Sequence, residues 1–138
     1  MNRPLFFAAL LAAFVAAVHV FVGTPEIEGP LLQSALPQEV RLLLYACWHL
    51  VSVTLTLSAA AFFISARARC TPPSHHMVKL VSYLWICFGL VFIVVALLYS
   101  GPPMLLKLPQ WALLLPVGAL GLWGCSNRSL QRTASGGH

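Results

Sequence analysis

The stretch RLLLYACWHLVSVTLTLSAAAFFISAR, residues 41–67, decides the fold. Arg41 and Arg67 bracket 25 residues, 42–66, none of which carries a formal charge. A bilayer core about 30 Å thick takes about 20 apolar residues to cross as a helix, so this stretch crosses with some tilt. At about 100° per residue, Tyr45, His49, Ser52 and Thr56 fall within about 60° of one another, on one face. Arg41 heads that face and Phe63 ends it. The remaining faces are Leu, Val, Ala and Phe. A helix surrounded by lipid has no reason to gather its hydroxyls and imidazole on one side, whereas a helix packed on neighbours gives them partners. The stripe is therefore expected to lie against other helices. Its hydroxyls can also bond their own i−4 carbonyls. His49 is in addition a candidate ligand or proton carrier, as an ionisable group inside a span.

The whole chain agrees with this reading. Of its 138 residues, 59% are hydrophobic and 8% charged, with a mean hydropathy of +0.86. A soluble domain carries about 25% charged residues. The net charge of +5 is spread over the ends and one connection, so it reports topology. Nucleic acid is excluded as a partner, because no basic run is interleaved with aromatics. Cys47, Cys70, Cys87 and Cys125 are scattered without a CxxC pair, which excludes the usual thiol–disulfide motif. They read as small apolar fillers.

Three further spans are expected, at 5–22, 80–100 and 110–125. The first has an apolar run of 18 residues, longer than a signal peptide's, and no small-x-small cleavage site follows it. Its alanines, Ala8, Ala12, Ala16 and Ala9, Ala13, Ala17, make a surface for close helix contact. The connection 23–38 is rich in Gly and Pro and carries Glu26 and Glu28, while Pro37 and Glu39 suit the first turn of the next helix. A short basic turn holding His75 and His76 precedes the third span, which has Tyr83, Trp85 and Tyr99 near its ends. Gly101-Pro102-Pro103 stops it. The fourth span contains Pro116, and Gly118, Gly121 and Gly124 at intervals of three. Trp111 and Trp123 bracket it as interfacial aromatics do. The polar tail, 126–138, reads as disordered.

Lys and Arg in short connections set orientation. Arg3, Arg67, Arg69, Lys79, Arg128 and Arg132 fall on one side, and Arg41 and Lys107 on the other. All three glutamates share the second side. The fold expected is an all-α membrane protein: one domain over 1–125, an antiparallel bundle of four transmembrane helices, both termini cytoplasmic. Its size and plan resemble those of small bacterial inner-membrane proteins.

One constellation carries candidate chemistry. At 1.5 Å per residue, His19 lies about 6 Å inward of Gly23 and His49 about 12 Å inward of Arg41. Both belong to the outer half, with Tyr45, Glu26 and Glu28. Three readings are open. His19 and His49 ligate a b-type haem from facing helices, in a haem or quinone-linked redox protein. Alternatively, His19 and His49 with Glu26 or Glu28 hold a divalent metal. In the third, the histidines bond only carbonyls and hydroxyls, with His49 in the core and His19 interfacial. Nothing is spaced as a Ser-His-Asp or Cys-His site, so an enzyme is disfavoured. A small transporter is a further alternative, with His49 as proton carrier; an embedded carboxylate would suit it better, and the chain has no Asp while every Glu lies at or beyond the outer interface. The leading expectation is a non-catalytic accessory or binding protein, whose partners are the bilayer and a larger membrane complex or a second copy.

Overall fold

The computed structural model describes residues 2–67 and 72–135, with 72–74 and 127–135 described as backbone alone. Every described element is helical. The order is α1 (Arg3–Phe21), a π-helical turn (Thr24–Glu28), α2 (Gly29–Leu32), α3 (Gln38–Arg67), α4 (Pro72–Ser100), α5 (Met104–Lys107) and α6 (Gln110–Ser135). Among the described residues, three helices are long and apolar enough to cross a membrane: Arg3–Leu32, Gln38–Arg67 and His75–Ser100. The apolar part of α6, Gln110–Ser126, is shorter. Only 28%, 17% and 22% of the most apolar windows of the three long helices are buried. Most of their apolar surface therefore faces outward.

Two boundaries differ from the sequence expectation. α4 begins at Pro72, so His75 and His76 sit on its first turns rather than in a loop. Prolines are tolerated in a helix's first turn, where their missing N–H has no partner to lose. α6 continues past Cys125 to Ser135, because neither Gly nor Pro interrupts that run. Residues 68–71 (with Arg69 and Cys70) and 136–138 lie outside the described residues. The stop at Gly101 is as expected: its φ of +78° is left-handed backbone, which a glycine adopts without penalty after a helix.

α1 is the centre of the packing. It contacts α3 and α6 extensively, α6 packs on α4 most extensively of all, and α3 and α4 barely meet. Ala8 and Ala12 are fully buried, as a close-contact stripe requires. The α6 glycines seat three different helices. A Cβ on Gly118 would press on the Ser82 carbonyl and Ile86 of α4, one on Gly121 on Ser82 and on Phe62 of α3, and one on Gly124 on Leu5 of α1. Each step of three residues turns the helix face by about −60°, so successive glycines address successive neighbours. Trp85 departs from its expected interfacial place. It is fully buried with Phe62, Val78 and Val117 in the core.

Asn2 ties three helices. Its N–H donates to the Ala66 carbonyl (3.1 Å), its Nδ2 donates to the Gly124 carbonyl (2.8 Å), and its Oδ1 accepts from Leu5 N (3.4 Å) as the N-cap of α1. Asn followed by Pro two positions on is a helix-start signal. Its reach to α3 and α6 has no sequence signature.

Candidate functional site

The inward face of α3 carries Trp48, Ser52, Leu55, Ala59, Phe62 and Ala66, at steps of three or four residues. His49 follows Trp48 and so points about 100° away from that face. Only Ser52 of the polar stripe is turned to α1. Tyr45 is half-buried, and His49 and Thr56 are exposed. The expectation that the whole stripe packs against neighbours is therefore corrected: the strongest apolar contacts set the rotation of α3, and the stripe lies to one side of them.

The hydroxyls satisfy themselves. Ser52 donates to the Trp48 carbonyl (3.1 Å), Thr54 to Leu50 (2.7 Å), Thr56 to Ser52 (2.8 Å) and Ser58 to Thr54 (2.7 Å). These i−4 bonds let a hydroxyl sit in an apolar setting at little cost.

His19 projects from α1 into the α3 interface. Its ring stacks on Trp48, with centroids 4.0 Å apart and planes 21° apart. Its Nε2 lies 3.1 Å from Ser52 Oγ and 3.4 Å from the Trp48 carbonyl oxygen. In the tautomer that carries its proton on Nε2, His19 donates to Ser52 Oγ, which in turn donates to the Trp48 carbonyl. The indole also abuts Gly23, where a Cβ would lie 2.9 Å from Trp48 Cζ2. From the sequence Trp48 reads as a packing residue pointing about 100° from His49; that it packs on His19 follows only from the pairing of α1 with α3. We expect a double-mutant cycle of His19→Ala and Trp48→Ala to return a coupling of about 1 kcal/mol, from thermal melts in detergent. A coupling of zero would mean that the two rings do not stack.

His49 has a different neighbourhood. Tyr45 meets it edge-on, with centroids 4.5 Å apart and planes at 85°. His49 makes no hydrogen bond among the described residues. Bis-axial haem ligation needs both imidazoles turned into one gap, and here His19 turns to Trp48 and Ser52 while His49 turns outward beside Tyr45. The core placement expected for His49 is corrected in the same way. Glu28 Oε2 accepts from Thr24 Oγ1 (3.1 Å), and Glu26 is exposed. Among the described residues neither glutamate makes a hydrogen bond to a histidine, although Glu28 stands close enough to His19 to act on it electrostatically. Among the described residues no three His, Cys, Asp or Glu side chains gather closely enough to hold a metal ion. A shallow groove of about 250 Å³, lined by Ser52, Val53, Thr56 and Leu57, runs along the exposed side of α3.

The site thus has two parts: a closed His19–Trp48–Ser52 contact that fixes α3 on α1, and an open face of Tyr45, His49, Val53 and Thr56. No family model matches the chain, and no curated protein or solved structure is significantly similar to it.

Proposed function

We propose that this chain is an integral membrane protein with four antiparallel spans and both termini cytoplasmic. It acts as a non-catalytic accessory protein that receives a partner helix on the open face of α3. The three long apolar helices and their outward apolar surface support the membrane placement. The lysines and arginines, concentrated at one end, support the orientation.

The observation that carries the docking reading is the exposed position of His49 within an apolar helix. The hydroxyls beside it are satisfied by their own backbone. The imidazole is not, and a polar group left facing hydrocarbon is costly. A partner that offers His49 a donor or acceptor removes that cost. Leu42, Tyr45, His49, Val53, Thr56 and Ala60 recur every three or four residues, the spacing at which helices pack side by side.

A photo-crosslinking residue at Val53 is expected to yield a discrete protein adduct in native membranes. The same residue at Val94, exposed among Leu90, Val91, Leu97 and Leu98 of α4, is expected to yield lipid adducts alone. His49→Leu is expected to weaken the Val53 adduct by roughly 3- to 30-fold, since an interhelical hydrogen bond in a membrane is worth about 0.6–2 kcal/mol. Lipid adducts alone at Val53, in the wild type, would overturn the docking reading.

A further inference from the structure

The other concentration of polar chemistry lies at the opposite end of the fold from His19. Three hydrogen bonds gather the four long helices there. Asn2 N donates to Ala66 (3.1 Å), Asn2 Nδ2 to Gly124 (2.8 Å), and Cys125 Sγ to the His75 carbonyl (3.8 Å). These ties bring basic residues together. Arg3 follows Asn2 and Arg67 follows Ala66, so the backbone bond sets the main chain of the two arginines side by side at the α1–α3 boundary. The His75 carbonyl tie brings in the start of α4, with His76 and Lys79. Arg3, Arg67, His76 and Lys79 are all exposed. The chain's three glutamates, Glu26, Glu28 and Glu39, lie before or in the first turn of α3, at the far end. None of the three glutamate side chains is placed to neutralise the cluster.

Two features separate this end from a merely soluble basic surface. The cations stand where each helix enters or leaves its apolar run: Arg3 before Leu5, Arg67 after Ala66, Lys79 before Leu80. That is headgroup depth for spans of this length. The Arg67 guanidinium also stands 4.3 Å over the Phe63 ring, held along the side of α3. A phosphate between Arg3 and Arg67 therefore has apolar helix surface below it.

We propose that this end of the fold binds the headgroup of an anionic phospholipid, with Arg3 and Arg67 contacting the phosphate and His76 and Lys79 flanking it. Paired guanidiniums match phosphate oxygens in geometry as well as charge. The proposal rests on the membrane placement of the chain and is independent of what covers α3.

The test uses the full chain in detergent micelles with equal amounts of phosphatidylglycerol and phosphatidylcholine, and reads retained lipid by native mass spectrometry. The wild type is expected to retain phosphatidylglycerol selectively. Each basic residue near an anionic surface is worth about fivefold in affinity, so Arg3→Gln with Arg67→Gln is expected to lose roughly 30-fold. Arg67→Gln alone is expected to lose about fivefold, which keeps the test open if the double variant does not fold. Arg41→Gln with Lys107→Gln removes equal charge from the far end and is expected to change nothing. Equal retention of the two lipids by the wild type would overturn the proposal, as would an equal loss in the far-end pair. Displacement by millimolar inorganic phosphate would also overturn it, by making the ligand a soluble anion. Crosslinking at Val53 is unaffected by any of these results, so the two readings fail separately.

Discussion

Gly118→Val is expected to be the most damaging single substitution on α6. A Cβ at position 118 would stand 2.6 Å from the Ser82 carbonyl oxygen, 2.6 Å from Ile86 Cγ1 and 3.2 Å from Ile86 N. Two of those three atoms are backbone, so no rotamer change clears the space. α4 itself has to move, and α4 on α6 is the largest interface in the fold. Moving it also loosens Trp85 and Val117, both fully buried. Overpacking a tight site costs about 1–3 kcal/mol, and a backbone clash puts valine at or above the top of that range. Thermal unfolding in detergent, followed by circular dichroism, reads the effect. Gly29→Ala is the matched control, since its Cβ would meet only the Thr24 carbonyl oxygen, at an ordinary 3.6 Å. If Gly118→Val melted with the wild type, α4 and α6 could not pack this closely.

Asn2→Asp and Asn2→Ala are expected to destabilise the protein together, by about 2–4 kcal/mol each. Alanine removes the N-cap acceptor, worth about 1 kcal/mol. It also removes the buried Nδ2 donor and leaves the Gly124 carbonyl without it, at a cost of about 1–3 kcal/mol. Aspartate separates the two contributions. It is as good an N-cap as asparagine, so a residue that served α1 alone would tolerate it. Here the second oxygen would replace Nδ2 and face the Gly124 carbonyl at 2.8 Å, acceptor against acceptor. Asn2→Asp melting like the wild type would reduce Asn2 to a local cap. An aspartate as damaging as alanine would establish it as the tie between α1 and α6.

The legible part of the candidate site was its depth and its residue types. His19, Tyr45, His49 and Ser52 stand in the same half of the fold, as counting along the two helices predicts. What could not be read was rotation. A helical wheel places Tyr45, His49, Ser52 and Thr56 on one face without saying which face meets α1. A shift of about 60–100° about the axis of α3 moves Trp48 into the interface and His49 out of it. His19 therefore pairs with Trp48 and Ser52 instead of His49.

Sequence by itself determined the helices, since their apolar runs are too long for strands and are separated by Gly- and Pro-rich connections. It also determined the Gly101 stop and the small faces of α1 and α6, because only small residues let backbones approach. Tertiary structure alone decided that Trp85 is core and that Asn2 joins three helices. It also decided which of the two histidines is closed in and which stays open. Those outcomes depend on which faces win the contest for contact, and that contest is settled by the summed packing of all four long helices together.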